Sequence, residues 1–176
     1  MSQNWNIDPS HTSLEFAVRH MMISTVRGSF KVTDGTVQIS EDGKLLGVEA
    51  NIETASINTK DPQRDGHLNA ADFFDSATHP NISFKSTNVT ATSTNNYNVE
   101  GHLTIRGETK PVTLEVETSQ TAKDPWGNTK IAASGTTKIS RKEWGLVWNQ
   151  ALEAGGVLVG DEVKITLDVQ AAAPAA

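Results

Sequence analysis

The strand pattern that decides the fold is clearest in residues 13–20, which read SLEFAVRH. Apolar side chains at Leu14, Phe16 and Val18 alternate with polar or small ones, and His20 continues the apolar face. A period of two residues is typical of a β-strand with one buried face. The stretch therefore predicts a strand whose inner face is apolar and whose last inward position carries an imidazole.

The same alternation recurs along the chain and predicts about eight strands in all. It is visible around residues 28–33, 37–39, 46–52, 82–86, 97–105, 112–116, 131–139 and 163–169. The dipeptide Asp34-Gly35 predicts a hairpin, and EDGK at 41–44 predicts a second turn. Amphipathic strands joined mostly by short turns leave exposed edges unless the sheet closes. We therefore predict an all-β fold, a closed antiparallel up-and-down barrel.

Small residues at several inward positions indicate that the barrel is hollow. A barrel of about eight strands is either filled by side chains or holds one elongated small ligand. The alternative is that the glycines mark bulges and bends at barrel corners. The small inward residues are Gly28, Ala50, Gly101, Ala133 and Gly135.

Only residues 61–80 break the strand pattern. Asp61 is suited to cap a helix that begins at Pro62, since the first helical turn needs no N–H donor there. We predict a short helical segment near 61–71, anchored by Phe73 and Phe74, which follow it directly. The alternative is a plain connector whose aromatic rings complete the core.

Length and composition restrict the domain organisation and the partners. The 176 residues suit one domain, placed at 1–170, and the AAAPAA stretch at 171–176 predicts a disordered tail. The absence of cysteine excludes disulfides and thiolate chemistry. A net charge of −6 argues against a nucleic-acid partner and against a polybasic membrane patch.

No apolar run approaches the ~20 residues that span a bilayer, so no stable membrane insertion is expected. The first residues, MSQNW, lack the basic and apolar regions of a signal peptide. We expect a cytoplasmic protein if the chain is complete, and a periplasmic or secreted one if a leader was removed.

Catalytic and metal-binding patterns are missing from the sequence. The five histidines show neither an i, i+4 pair nor a His-x-His pair, so no metal site is predicted. Hydrolase, phosphate-binding and dinucleotide-binding motifs are also missing. Asp65 and His67 could form an acid–base pair, but no motif supplies a nucleophile. The sequence therefore predicts that the protein is not an enzyme.

Several blocks of the chain together resemble the YceI-like family. They are W-x-I-D-x-x-H-x-x-L-x-F-x-V-x-H at 5–20, V-x-G-x-F at 26–30, RD-x-HL at 64–68, DFFD at 72–75, HP-x-I-x-F-x-S at 79–86, G-x-LTI-x-G at 101–107, I-x-R-x-x-WGL at 139–146 and GG-x-LVGD-x-V at 155–163. The chain departs from the family pattern at Asn69, where a basic residue is common, and at Trp144, where Phe is common.

The resemblance implies a lipocalin-like barrel that binds a polyisoprenoid in an elongated tunnel, needs no cofactor beyond that lipid or a fatty amphiphile, and forms a homodimer. It implies non-catalytic binding or carriage of the lipid. The alternatives are an enzyme acting on a lipid-like substrate and a stress-related structural or interaction module with a filled barrel. The candidate ligand-binding residues are Phe16, Val18, His20, Phe30, Ala50, Phe74, Ile82, Phe84, Gly101, Leu103, Ala133, Gly135 and Leu167. The candidate head-group contacts are Arg64, Asp65, His67 and Arg141.

Overall fold

The computed structural model describes residues 2–152 and 156–175. This part of the chain contains ten β-strands and one α-helix. The strands are β1 (Ser2–Ile7), β2 (Ser13–His20), β3 (Ser24–Ser40), β4 (Leu45–Asn58), β5 (Asn81–Ser93), β6 (Asn96–Ile105), β7 (Glu108–Thr118), β8 (Ala122–Lys123), β9 (Thr129–Ser140) and β10 (Val159–Ala172). The helix α1 (Pro62–Asn69) lies between β4 and β5, and 3₁₀ turns occur at Pro9–His11 and Arg141–Trp144.

Eight of the strands form a closed antiparallel ring. Its order is β2-β3-β4-β5-β6-β7-β9-β10, and β10 pairs back with β2. Strand β1 pairs with the far ends of β3 and β10, and the short β8 pairs with β9. The predicted closed antiparallel up-and-down fold of about eight strands is confirmed, and so is the short helix near 61–71.

The predicted hairpin at Asp34-Gly35 is wrong, because β3 runs through it without a break. A Cβ at Gly35 would overlap the carbonyl oxygen of Glu49 and the side chain of Ile7. The glycine therefore permits a close approach of β1 and β4, and it does not make a turn. The pairing register of β3 with β4 shifts just before this site, between Val32 and Asp34, as a β-bulge does.

The predicted disordered tail at 171–176 is wrong for its first two residues. Strand β10 continues through Ala172, and Ala171 is completely buried. Ala171 lies opposite Ile7 of β1 and Ile131 of β9. A methyl group is enough to complete the core where three strands meet, so the low sequence complexity here reflects tight packing. Residue 176 lies outside the described residues.

The connections between ring strands alternate between two ends of the molecule. The β2–β3 turn, the α1 segment, the β6–β7 turn and residues 141–152 and 156–158 share one end, which we call the α1 end. The β3–β4 and β5–β6 turns and residues 119–128 share the other, which we call the closed end. The closed end is filled by buried side chains, among them Trp5, Val37, Ile39, Leu45, Tyr97, Val99 and Ile131.

Candidate functional site

A cavity of about 810 Å³ occupies the half of the ring toward the α1 end. This volume lies within the range of small-molecule sites. Inward aliphatic and aromatic side chains form most of its wall, and none of the closed-end side chains named above reaches it. One side of the wall consists of the alternating apolar residues of β2 and β10: Leu14, Phe16, Val18, Val163, Ile165 and Leu167. These six are only partly buried, and each has an inner face that borders the cavity.

The polar side chains of the cavity wall lie mostly at the α1 end. They are Arg19, His20, Thr59, Asp61, Gln63, Arg64, His67 and Arg141, while Glu15 and Thr137 lie farther along the wall. The cavity is therefore amphipathic along its length, with an apolar body and a polar end. Such an arrangement fits a ligand with a long apolar chain and a polar group at one end.

The helix α1 is fixed at its start by its own cap. The Asp61 carboxylate accepts hydrogen bonds from the backbone N–H groups of Gln63 at 3.1 Å and Arg64 at 3.2 Å. Pro62 begins the helix, as its missing N–H predicts. The cap sets the direction of the helix across the α1 end, so that Gln63, Arg64 and His67 reach the cavity wall.

Arg64 and Asp65 both form hydrogen bonds with Thr59, the residue that follows β4. Asp65 accepts hydrogen bonds from the Thr59 backbone N–H at 2.9 Å and from the Thr59 hydroxyl, and it does not line the cavity. Arg64 donates from Nε to the Thr59 hydroxyl and from Nη2 to the Thr59 carbonyl, both at 2.8 Å. Nη1 of Arg64 makes no hydrogen bond within the described residues.

Two aromatic clusters hold the segment after α1 against the ring. Phe74 packs edge-on against Phe30 with ring centroids 5.4 Å apart, and Phe30 contacts Phe16 at 5.5 Å. Phe73 packs with its centroid 5.4 Å from that of Trp148. The prediction that Phe73 and Phe74 anchor the segment is therefore confirmed.

His67 belongs to the second aromatic cluster. Its ring is perpendicular to that of Trp148 at 4.8 Å and nearly perpendicular to that of Phe73 at 5.2 Å. Its Nε2 lies 3.6 Å from an Asp72 carboxylate oxygen. The imidazole thus joins α1 to residue 148 while one edge of the ring lies on the cavity wall.

Arg141 has a structural role, because its guanidinium is occupied by hydrogen bonds within the protein. Its guanidinium donates to four backbone carbonyls, those of Leu146, Trp148, Val159 and Gly160. Burial lowers the pKa of Arg141, and Asp161, 3.7 Å away, acts in the opposite direction. Arg141 lines the cavity, yet its donors hold the backbone at Leu146, Trp148, Val159 and Gly160, which leaves little capacity for a ligand head group.

The small inward residues differ in what they do. Gly28 and Gly101 are buried beneath aromatic rings: a Cβ at Gly28 would overlap Phe16, and one at Gly101 would lie 2.5 Å from Phe84. The space that the sequence assigned to a ligand at these two glycines is filled by the rings. Gly135 does line the cavity, and a Cβ there would contact only Val116 Cγ2 at 3.4 Å and a backbone oxygen at 3.8 Å.

Most of the predicted site residues share one cavity. The residues on its wall are Phe16, Val18, His20, Phe30, Ala50, Phe74, Ile82, Phe84, Leu103, Gly135, Leu167, Arg64, His67 and Arg141. Gly101, Ala133 and Asp65 are not on it, because Phe84 covers Gly101, Ala133 packs against the core and Asp65 faces Thr59.

Sequence reasoning missed part of the wall. Val163 and Ile165 follow the same alternation as Leu167 and could have been found from it. Leu146, Trp148 and Leu158 come from an irregular segment without periodicity, which gives no such signal. Within residues 2–152 and 156–175, no three His, Cys, Asp or Glu side chains are close enough to hold a metal ion. No helix in that same part of the chain is long and apolar enough to cross a membrane.

Comparison with known proteins identifies related sequences. Residues 5–171 match the model of the YceI-like domain. A UPF0312 protein of Staphylococcus aureus (strain bovine RF122 / ET3-1) is 40% identical over 165 residues, which is 92% of each chain.

Solved structures share the fold. BcnA of Burkholderia cenocepacia is similar with a TM-score of 0.79 and 23% identity, over 93% of this chain and 98% of that one. A YceI protein of Campylobacter jejuni gives a TM-score of 0.76 and 25% identity over 89% and 90%. A polyisoprenoid binding domain from Saccharophagus degradans gives a TM-score of 0.70 and 16% identity over 97% and 98%. The chain therefore belongs to the family of YceI-like domains.

Proposed function

We propose that the protein binds one long-chain isoprenoid, or a similar amphiphilic lipid, non-covalently in the cavity and carries it without chemical change. The observation that carries the proposal is the amphipathic cavity of about 810 Å³, whose polar side chains are concentrated at the α1 end. The solved neighbour from Saccharophagus degradans is described as a polyisoprenoid binding domain. The ligand class proposed for this chain rests on its family and on the chemistry of its own cavity.

The energetics favour a long apolar chain over a compact polar ligand. Each five-carbon prenyl unit contributes about 3–4 kcal/mol at about 0.8 kcal/mol per buried CH₂, before ordering costs are subtracted. A few units therefore exceed what is needed for micromolar binding, which is about 8 kcal/mol. Polar contacts then orient the ligand more than they hold it.

The polar group of the ligand is expected at the α1 end. The free Nη1 of Arg64 lies there, and His20 ends β2 on the same part of the wall. Asp65 and Arg141 are occupied by protein hydrogen bonds, so they are not the groups we propose for head-group contact. A filled barrel, the alternative that suits a purely structural module, conflicts with the cavity.

The direct test is organic extraction and mass spectrometry of the protein purified from its native host without detergent. We expect close to one isoprenoid or amphiphile per chain. The lipid-free protein should then bind a fluorescent polyprenyl analogue at a single site. If extraction yields no lipid and the analogue does not bind, the proposal is wrong.

One substitution, tested with two ligands, probes the orientation of the ligand. Replacing His20 with Leu should leave the fold intact, because the ring makes no side-chain hydrogen bond within the described residues. The affinity for a polyprenyl phosphate should fall more than that for a bare hydrocarbon such as squalene. Equal effects on both ligands would assign His20 to the apolar wall alone.

A further inference from the structure

Exposed apolar side chains lie next to the polar end of the cavity. In the β2–β3 turn, Met21, Met22 and Ile23 are 43%, 57% and 77% exposed. Val157, on the neighbouring segment, is 40% exposed. We call these four residues the apolar rim.

The rim is built from two segments that continue into the cavity wall. The Met21 N–H donates to the Leu158 carbonyl at 2.7 Å, and Met22 packs against Gly156. His20 precedes the turn, Leu158 follows Val157, and both line the cavity. The rim therefore borders the end of the cavity where its polar groups lie.

The backbone of the turn gives a reason to regard its methionines as functional. Met21 and Met22 have φ of 53° and 60°, in the left-handed region that favours Gly and Asn. Two large apolar residues here cost backbone strain and leave apolar surface in water. Fold stability would be served better by Asn-Gly, so the methionines indicate a surface that something covers.

A cationic group lies beside the rim. Arg19 donates from Nη2 to the Met22 carbonyl at 3.0 Å and from Nη1 to the Thr25 hydroxyl at 3.4 Å. Its exposed guanidinium forms no ion pair within residues 2–152 and 156–175. An arginine next to exposed apolar side chains complements a surface with phosphate groups above an apolar layer.

We propose that the apolar rim docks on a phospholipid bilayer, with its side chains at the boundary of head groups and acyl chains and with Arg19 against lipid phosphates. This inference rests on the proposed function, since docking there would turn the polar end of the cavity toward the membrane and shorten the path of a lipid through water. A stable protein partner needs about 20–30 residues a side, and the rim is far smaller. Shallow insertion into an interface requires only a few apolar side chains near a basic group.

The test uses flotation of the lipid-free full chain with phosphatidylcholine vesicles. They contain about one-third phosphatidylglycerol, which supplies surface phosphates and negative charge. The double substitution Met21→Asn with Met22→Gly suits the left-handed turn, so the fold should melt at the same or a higher temperature. We expect it to weaken vesicle binding at least tenfold. Arg19→Gln should weaken binding several-fold and should reduce its dependence on salt.

The control is Trp126→Ser, because Trp126 is 82% exposed but lies between β8 and β9 at the closed end. This variant should bind vesicles like the wild type. The inference is wrong if the wild type does not float with vesicles, if the double variant floats equally well, or if the control loses as much. It is also wrong if sedimentation shows that the double variant abolishes a dimer, since the rim would then contact a second copy.

A second readout separates this inference from the proposed function. The double variant should keep the wild-type affinity for a fluorescent polyprenyl analogue in solution but take that analogue up from vesicles at least tenfold more slowly. Normal uptake by the double variant would reject the docking surface and leave the lipid site intact. A wild type that binds no analogue at all would reject the proposed function, whatever the result of flotation.

Discussion

Gly135→Leu is the most direct perturbation of the cavity. Gly135 lies in the middle of β9, between Leu167 of β10 and Val116 of β7, and its φ is not positive. A Cβ there meets only ordinary contacts, the nearest at 3.4 Å. The rest of the leucine side chain must therefore extend into the cavity.

The magnitude follows from the volume that the leucine takes. Its four side-chain carbons replace nearly one prenyl unit, which at about 0.8 kcal/mol per carbon is about 3 kcal/mol of lost ligand burial. This corresponds to more than ~100-fold weaker binding. The stability of the lipid-free protein should stay the same or rise, because the substitution removes a strand glycine, worth about 0.5–1 kcal/mol, and fills empty space.

The assay is titration with a fluorescent polyprenyl analogue together with thermal unfolding of lipid-free protein. Thr136→Leu is the matched control, since it adds a similar side chain one position along the same strand on the exposed face. Unchanged affinity in folded Gly135→Leu would refute a ligand path past this residue. A loss of about 1–3 kcal/mol in stability would refute the empty space itself, because that is the cost of overpacking a filled core.

Three further outcomes follow from the structure. Gly101→Ala should lower the free energy of unfolding by about 1–3 kcal/mol in denaturant, because its Cβ would lie 2.5 Å from the Phe84 ring and 2.6 Å from the Lys85 carbonyl oxygen. Wild-type stability would show that both the ring and the Lys85 backbone move aside freely. Arg141→Gln should lower the free energy of unfolding by at least about 3 kcal/mol, because several buried carbonyls lose charge-assisted hydrogen bonds. Arg141→Lys should not restore this stability. A smaller loss would mean that water replaces the guanidinium. The pKa of Asp124 is lowered to about 2, mainly by a hydrogen bond from the Asn128 side chain. The carboxylate therefore contributes to stability above its unfolded pKa of about 3.9, and this contribution is lost as the pH falls toward 2. Asp124→Asn should therefore make the unfolding midpoint less sensitive to pH between about 4 and 2, and an unchanged pH profile would contradict this.

The ring of strands could be predicted from sequence because a period of two residues is a local signal. The helix was predictable for the same reason, since Asp61 and Pro62 carry the start signal in adjacent positions. The hairpin prediction failed because the same local sequence is compatible with two conformations. Asp34-Gly35 is a hairpin dipeptide in isolation, but at Gly35 the approach of two other strands decides the conformation.

The cavity itself could be predicted only in part. Alternation correctly places Phe16, Phe84 and Gly101 on inner faces, but it does not show which ring covers which glycine. The role of Arg141 was equally hidden, because two of its four carbonyl partners, Leu146 and Trp148, lie in an irregular segment that has no periodic pattern. An arginine that contacts a ligand head group and an arginine that holds a loop are identical in sequence.

The division of the ring into a packed half and a hollow half explains how the proposed lipid site is compatible with a stable fold. An empty apolar cavity forfeits packing contacts, and the filled closed end can offset that loss. Trp5, Ile39 and Val99 are almost completely buried there, whereas Phe16 and Leu167 on the other half keep faces toward the cavity. Because a ligand in the proposed site would contact only the second group, its binding should order that half and leave the closed end unchanged. The same separation explains why cavity-filling substitutions are expected to weaken binding without unfolding the protein.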